Sequence, residues 1–115
     1  MERPEQDCER EMATYFFDID GTLVEYHTNR WLPGAKEHLV ELCRQGHKIY
    51  LMTMRCDARD ADSEWSPERT RQTVLRDLNQ LGVFCEILWD VASPRVLVDD
   101  SPCRAMQRRQ NQSWT

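Results

Sequence analysis

The chain has 115 residues and a formal net charge of -5, with 40% hydrophobic and 30% charged residues. That length implies one domain with one modest core, and the acidic balance argues against a broad nucleic-acid or membrane-surface footprint. No apolar stretch approaches bilayer length, the N-terminus is too polar for a secretory signal, and the five scattered cysteines contain no Cys-x-x-Cys; a cytoplasmic protein with reduced thiols and no zinc site is expected.

In chain order, residues 1–12 are dense in charge and read as a flexible lead-in. Residues 13–109 read as a single domain, and 110–115 as a polar tail. Thr14 to Ile19 is a short aromatic-rich run, expected as a buried parallel strand. Residues 21–32 form a loop, and Leu32-Pro33-Gly34 opens a helix to about Gln45 with Leu39, Leu42 and Cys43 on one stripe. Gly46 suits its C-terminal cap, and His47 to Met52 is a second buried strand.

Residues 54–65 read as a polar loop. Ser66-Pro67-Glu68 has the chemistry of a helix start, with Ser as N-cap and Pro in the first turn. Val74, Leu75, Leu78 and Leu81 provide that helix's apolar stripe, and Gly82 stops it. Phe84 to Trp89 is expected as a third strand and Val96-Leu97-Val98 as a fourth. One or two helical turns are expected around Arg104 to Arg109. The alternation predicts an α/β fold: a Rossmann-like, three-layer arrangement around a small parallel sheet of about four strands.

In such sheets the working groups lie beyond the carboxyl ends of the strands. Strand one runs into Asp18-Ile19-Asp20-Gly21-Thr22, strand two into Thr53, and strand four into Asp99-Asp100. Two carboxylates leaving a strand into Gly-Thr can aim at one point, which suits a divalent cation and a phosphoryl group. Asp18 suits a nucleophile, because an ordinary aspartate is ionised at neutral pH and needs no activating base. Asp20 suits a general acid and base. The Thr53 hydroxyl and the loop groups of Gly21, Thr22, Met54 and Arg55 suit phosphoryl oxygens. Asp18 and Asp99, a backbone carbonyl near Asp20, and Asp100 in support would hold Mg²⁺.

Asp18-Ile19-Asp20-Gly21-Thr22-Leu23 resembles the first motif of the haloacid dehalogenase (HAD) superfamily. Thr53 is similar to that family's second motif and Asp99-Asp100 to its fourth, so the resemblance covers roughly residues 14–105. It implies an Mg²⁺-dependent phosphomonoester hydrolase that works through an aspartyl-phosphate on Asp18, with Asp20, Thr53 and the metal ligands in the roles above. The short links between elements imply a capless member. The phosphorylated substrate is expected to be a small molecule rather than a macromolecule, and a homo-oligomer is open. The family places a Lys before its fourth motif; here the segment reads Val91-Ala92-Ser93-Pro94-Arg95, and Arg95 is the nearest cation. The alternative is therefore a catalytically weak or inactive HAD-fold module that binds phosphate or metal. Tyr26, Trp31 and Trp65 are candidates for the rim of the site or for simple core cover.

Overall fold

A computed structural model describes residues 12–115; the expected lead-in, apart from Met12, and Cys8 lie outside the described residues. The order is β1 (Thr14–Asp18), α1 (Ala35–Arg44), β2 (Lys48–Met52), α2 (Asp57–Asp60), α3 (Pro67–Thr70), a π-helical segment (Arg71–Leu75), α4 (Arg76–Gln80) and β3 (Glu86–Leu88). The last three helical pieces run on without a break. Among the described residues the fold is α/β, with an open parallel sheet of three strands in the order β1-β2-β3. The register pairs Phe17 with Leu51 and Asp18 with Met52, then Leu51 with Ile87 and Met52 with Leu88. The chain therefore leaves β1 and β2 side by side.

Local chemistry explains most boundaries. Ser66 accepts a hydrogen bond from the Arg69 amide at 3.1 Å, and Pro67 fills a first-turn position where no backbone donor is needed. The short helix α2 lies inside the segment expected as loop; the Asp60 carboxylate accepts from the Cys56 amide at 3.1 Å and holds its first turn. Leu39 and Leu42 of α1, Val74 of the π-helical segment, Leu78 of α4, and Phe17, Ile49 and Leu51 of the sheet form one buried cluster with Ile19, Leu23 and Val24. Burial of this kind is the main favourable term for a domain of this size.

The expected fourth strand is corrected. Val96, Leu97 and Val98 are 83%, 57% and 89% exposed and pair with no strand among the described residues. A three-residue apolar run has strand propensity but nothing that fixes a register, and pairing decides the outcome. Only one sheet face is well buried: Phe16, Tyr50 and Leu88, on the opposite face, are left partly or half exposed. The second covering layer of a three-layer fold is thus not seen among the described residues. Arg104 to Arg109 forms no helix.

The expected polar tail also behaves differently. Trp114 packs against Phe17 and His38, with ring centroids 5.9 and 4.7 Å away, and its Nε1 donates to the Thr22 carbonyl at 2.7 Å. The Arg108 guanidinium lies over its ring at 3.5 Å. The Asn111 amide donates to the Gly21 carbonyl at 2.7 Å, and Asn111 Oδ1 accepts from the Tyr26 amide at 2.7 Å. Residues 110–115 are a strap across the loop that follows β1. No helix among the described residues is long and apolar enough to cross a membrane.

Candidate functional site

The Ile19 amide still bonds to the Met52 carbonyl at 2.9 Å, so β1 stays tied to β2 one residue past Asp18. The chain then turns sharply. Gly21 adopts φ +81°, and its amide donates to the Val24 carbonyl at 2.8 Å. A left-handed conformation suits glycine, which has no Cβ to clash. A Cβ here would also meet Gln110 of the strap at 3.2 Å. The Gly21 amide, expected as a phosphoryl donor, is thus spent within the turn; so is the Thr22 amide, at 3.4 Å from the Ile19 carbonyl.

Asp18 and Asp20 leave the strand end into two different environments. Asp18 accepts from the Thr22 hydroxyl at 3.0 Å on Oδ2 and from Arg95 Nη1 at 3.1 Å on Oδ1. Arg95 is itself aimed by the Val91 carbonyl, which accepts from Nη2 at 2.7 Å and from Nε at 3.2 Å. The Asp18 and Arg95 side chains are 23% and 26% exposed, so the pair is reachable from solvent. Burial pushes the Asp18 carboxyl above its ordinary value of 3.8; Arg95 and Thr22 pull the other way, and the Asp20 charge adds to the rise.

Asp20 is held by protein partners. Arg55 Nη2 lies 2.6 Å from Oδ1, with Nε at 3.1 and 3.2 Å from the two oxygens, and the Thr53 hydroxyl donates to Oδ2 at 2.9 Å. The other Arg55 donors reach Asn29 Oδ1 and Thr70 Oγ1, each at 2.7 Å, and the Thr28 carbonyl at 2.9 Å. The Thr53 hydroxyl in turn accepts from the Arg55 amide at 3.1 Å. Arg55 was expected among phosphoryl-holding groups. Its guanidinium is instead buried and filled by protein partners, which is how a charge survives in an interior.

Thr53 is fully buried beside Asp20, and Met54 is exposed at the mouth of an adjoining recess. The structure does not bring Asp99 and Asp100 to the strand-end acids. Both are exposed, and among the described residues their side chains accept only from Ser101, in a local turn. Among the described residues no three acidic, His or Cys side chains gather in one place.

Sequence reasoning missed Thr28, Asn29 and Thr70, the polar partners of Arg55, and the strap residues Asn111 and Trp114. Small polar residues carry no local signal for a contact across the chain. Trp114 was the exception, as a lone large aromatic in a polar segment. Trp31 is a cover residue rather than a rim residue: its Nε1 donates to Asp77 at 2.9 Å and Lys36 sits over its ring. Comparison of the chain with family models, curated proteins and solved structures found no match.

Proposed function

We propose that this chain is a capless, HAD-like phosphomonoester hydrolase with Asp18 as its nucleophile. The observation that supports this most is Arg95 Nη1 at 3.1 Å from Asp18 Oδ1. A partly open carboxylate paired with a fixed guanidinium has both the attacking oxygen and the cation that a phosphoryl group needs, and Arg95 is the cation nearest in sequence to the family's missing Lys. An Arg presents planar, forked donors rather than a point charge, so it can meet two phosphoryl oxygens at once.

In the first half-reaction an Asp18 oxygen bonds to phosphorus, the bond from phosphorus to the leaving oxygen breaks, and that oxygen takes a proton from Asp20. In the second, water bonds to phosphorus, gives a proton to Asp20, and the Asp18 acyl-phosphate bond breaks to release phosphate. Arg95 neutralises the phosphoryl oxygens throughout. Thr53 and Arg55 position the Asp20 carboxyl; at least one of their hydrogen bonds must open for it to carry a proton.

Mg²⁺ fits the hard oxygen chemistry of Asp18 and the Asp20 backbone, because this ion commonly takes one or two carboxylates and fills its shell with water and phosphate oxygens. When bound, it adds positive charge at the phosphoryl group. Asp99 and Asp100 are engaged with Ser101 and do not join Asp18 in this structure, so the proposal does not include them as ligands. The substrate is proposed to be a small phosphorylated molecule met in the cytoplasm.

A second reading, a phosphate- or metal-binding module without turnover, is favoured by one feature: both Asp20 oxygens are engaged by Arg55 and Thr53. Steady-state hydrolysis of a generic aryl phosphate with Mg²⁺ separates the two. The hydrolase reading expects turnover that Asp18→Asn abolishes and Arg95→Ala lowers by roughly 10²–10³-fold in kcat, the usual loss for a charge-stabilising donor. Equal rates for wild type and Asp18→Asn would sink it.

A further inference from the structure

Asp20 lines a recess of about 220 Å³ together with Tyr26, His27, Trp65, Met54, Arg59 and Asp60. Three rings form a row there. His27 stacks on Tyr26 with centroids 4.1 Å apart, and Trp65 follows at 5.1 Å from His27. Packing of the core does not demand this row, since Tyr26 and His27 are exposed.

The backbone pays for the arrangement. His27 sits at φ +62°, a left-handed conformation that is uncommon for a residue with a side chain. Glycine would hold the same turn without strain, so the imidazole needs a reason other than the turn. Trp65 Nε1 is buried and has no hydrogen-bond partner among the described residues. Indole N–H groups rarely stay unpaired in folded proteins, and this one belongs to a residue that lines the recess.

We propose that this recess is the leaving-group subsite and that the substrate is a phosphomonoester carrying a flat aromatic or heteroaromatic ring. The inference rests on the hydrolase reading above. Asp20 lines the recess and is the group assigned to protonate the leaving oxygen, so a phosphoryl group at Asp18 would place its leaving group toward this wall. The recess has room for a ring of one or two cycles and little more. Aromatic faces reward a flat ring, and Arg59 and Asp60 in the lining suit polar ring substituents.

The test is binding of two non-hydrolysable probes to the full-length protein with Mg²⁺, phenylphosphonate and methylphosphonate, by titration calorimetry. The ring subsite expects phenylphosphonate to bind about five- to tenfold tighter, the size of one good aromatic contact. His27→Gly, which keeps the turn, and Trp65→Leu should each bring phenylphosphonate toward the affinity of methylphosphonate. Equal affinities in wild type, or a preference that survives both substitutions, overturn the subsite while leaving the phosphate site standing. Failure of both probes to bind overturns the hydrolase reading and the subsite with it.

Discussion

Arg55 Nη2 lies 2.6 Å from Asp20 Oδ1, and the two side chains are 2% and 7% exposed. An ion pair this deep stands or falls as a unit. Removing either partner strands a charge away from water, whereas removing both leaves only a polar gap. Asp20→Ala should therefore cost about 3–5 kcal/mol of stability, the range for breaking a buried pair. Arg55→Ala should cost a similar amount through Thr28, Asn29 and Thr70, which lose their donor. The double variant should lose well under the sum. Urea denaturation of the three variants measures this; additive losses would mean that the pair is not coupled.

Asp18 should leave a pH signature in stability. Burial holds its folded pKa above the ordinary 3.8. A carboxyl with a raised folded pKa binds its proton more readily when folded, so ionisation costs stability. That cost is absent below the ordinary value and grows as pH rises through the raised one. In metal-free buffer, Asp18→Asn should gain in melting temperature on wild type as pH is raised from about 4 to about 7. A constant difference across that range would show that Asp18 ionises freely.

The C-terminal strap makes its own prediction at Gly34. This residue has φ +81°, and a Cβ there would meet Thr115 Cγ2 at 2.7 Å and the Trp114 backbone at 3.1 Å. Gly34→Ala should cost about 1–2 kcal/mol from the left-handed backbone alone, with the clash added to it. Deleting Trp114 and Thr115 should destabilise the wild type and shrink the Gly34→Ala penalty toward the backbone part. Thermal unfolding of the four proteins reads the coupling. An unchanged penalty would mean that the strap does not dock.

The strand-end acids were legible because an apolar run ending in Asp18-Ile19-Asp20-Gly21 carries its meaning locally. The Ser66 cap and the Gly46 and Gly82 stops were legible for the same reason. Arg55 was not, because whether a cation points at solvent or at Asp20 is decided by Thr28, Asn29 and Thr70, which come from other parts of the chain. Val96-Leu97-Val98 shows the opposite failure: its composition favours a strand, and a strand exists only where a neighbour completes it. Trp114 carried a local signal, as a lone large aromatic in a polar segment, but its partners Phe17, His38 and Thr22 lie far away in the chain. Arg95 was legible as the nearest cation, and only the fold could show it reaching Asp18.

The proposed reaction turns on Asp18 accepting a phosphoryl group. Its most direct test is acid-quench mass spectrometry of the protein mixed with an aryl phosphate and Mg²⁺, followed by mapping of the modified peptide. The expected result is a phosphoryl adduct on the peptide carrying Asp18, lost in Asp18→Asn and reduced in Arg95→Ala. Substrate turnover with no adduct on that peptide, or an adduct that persists in Asp18→Asn, would contradict it.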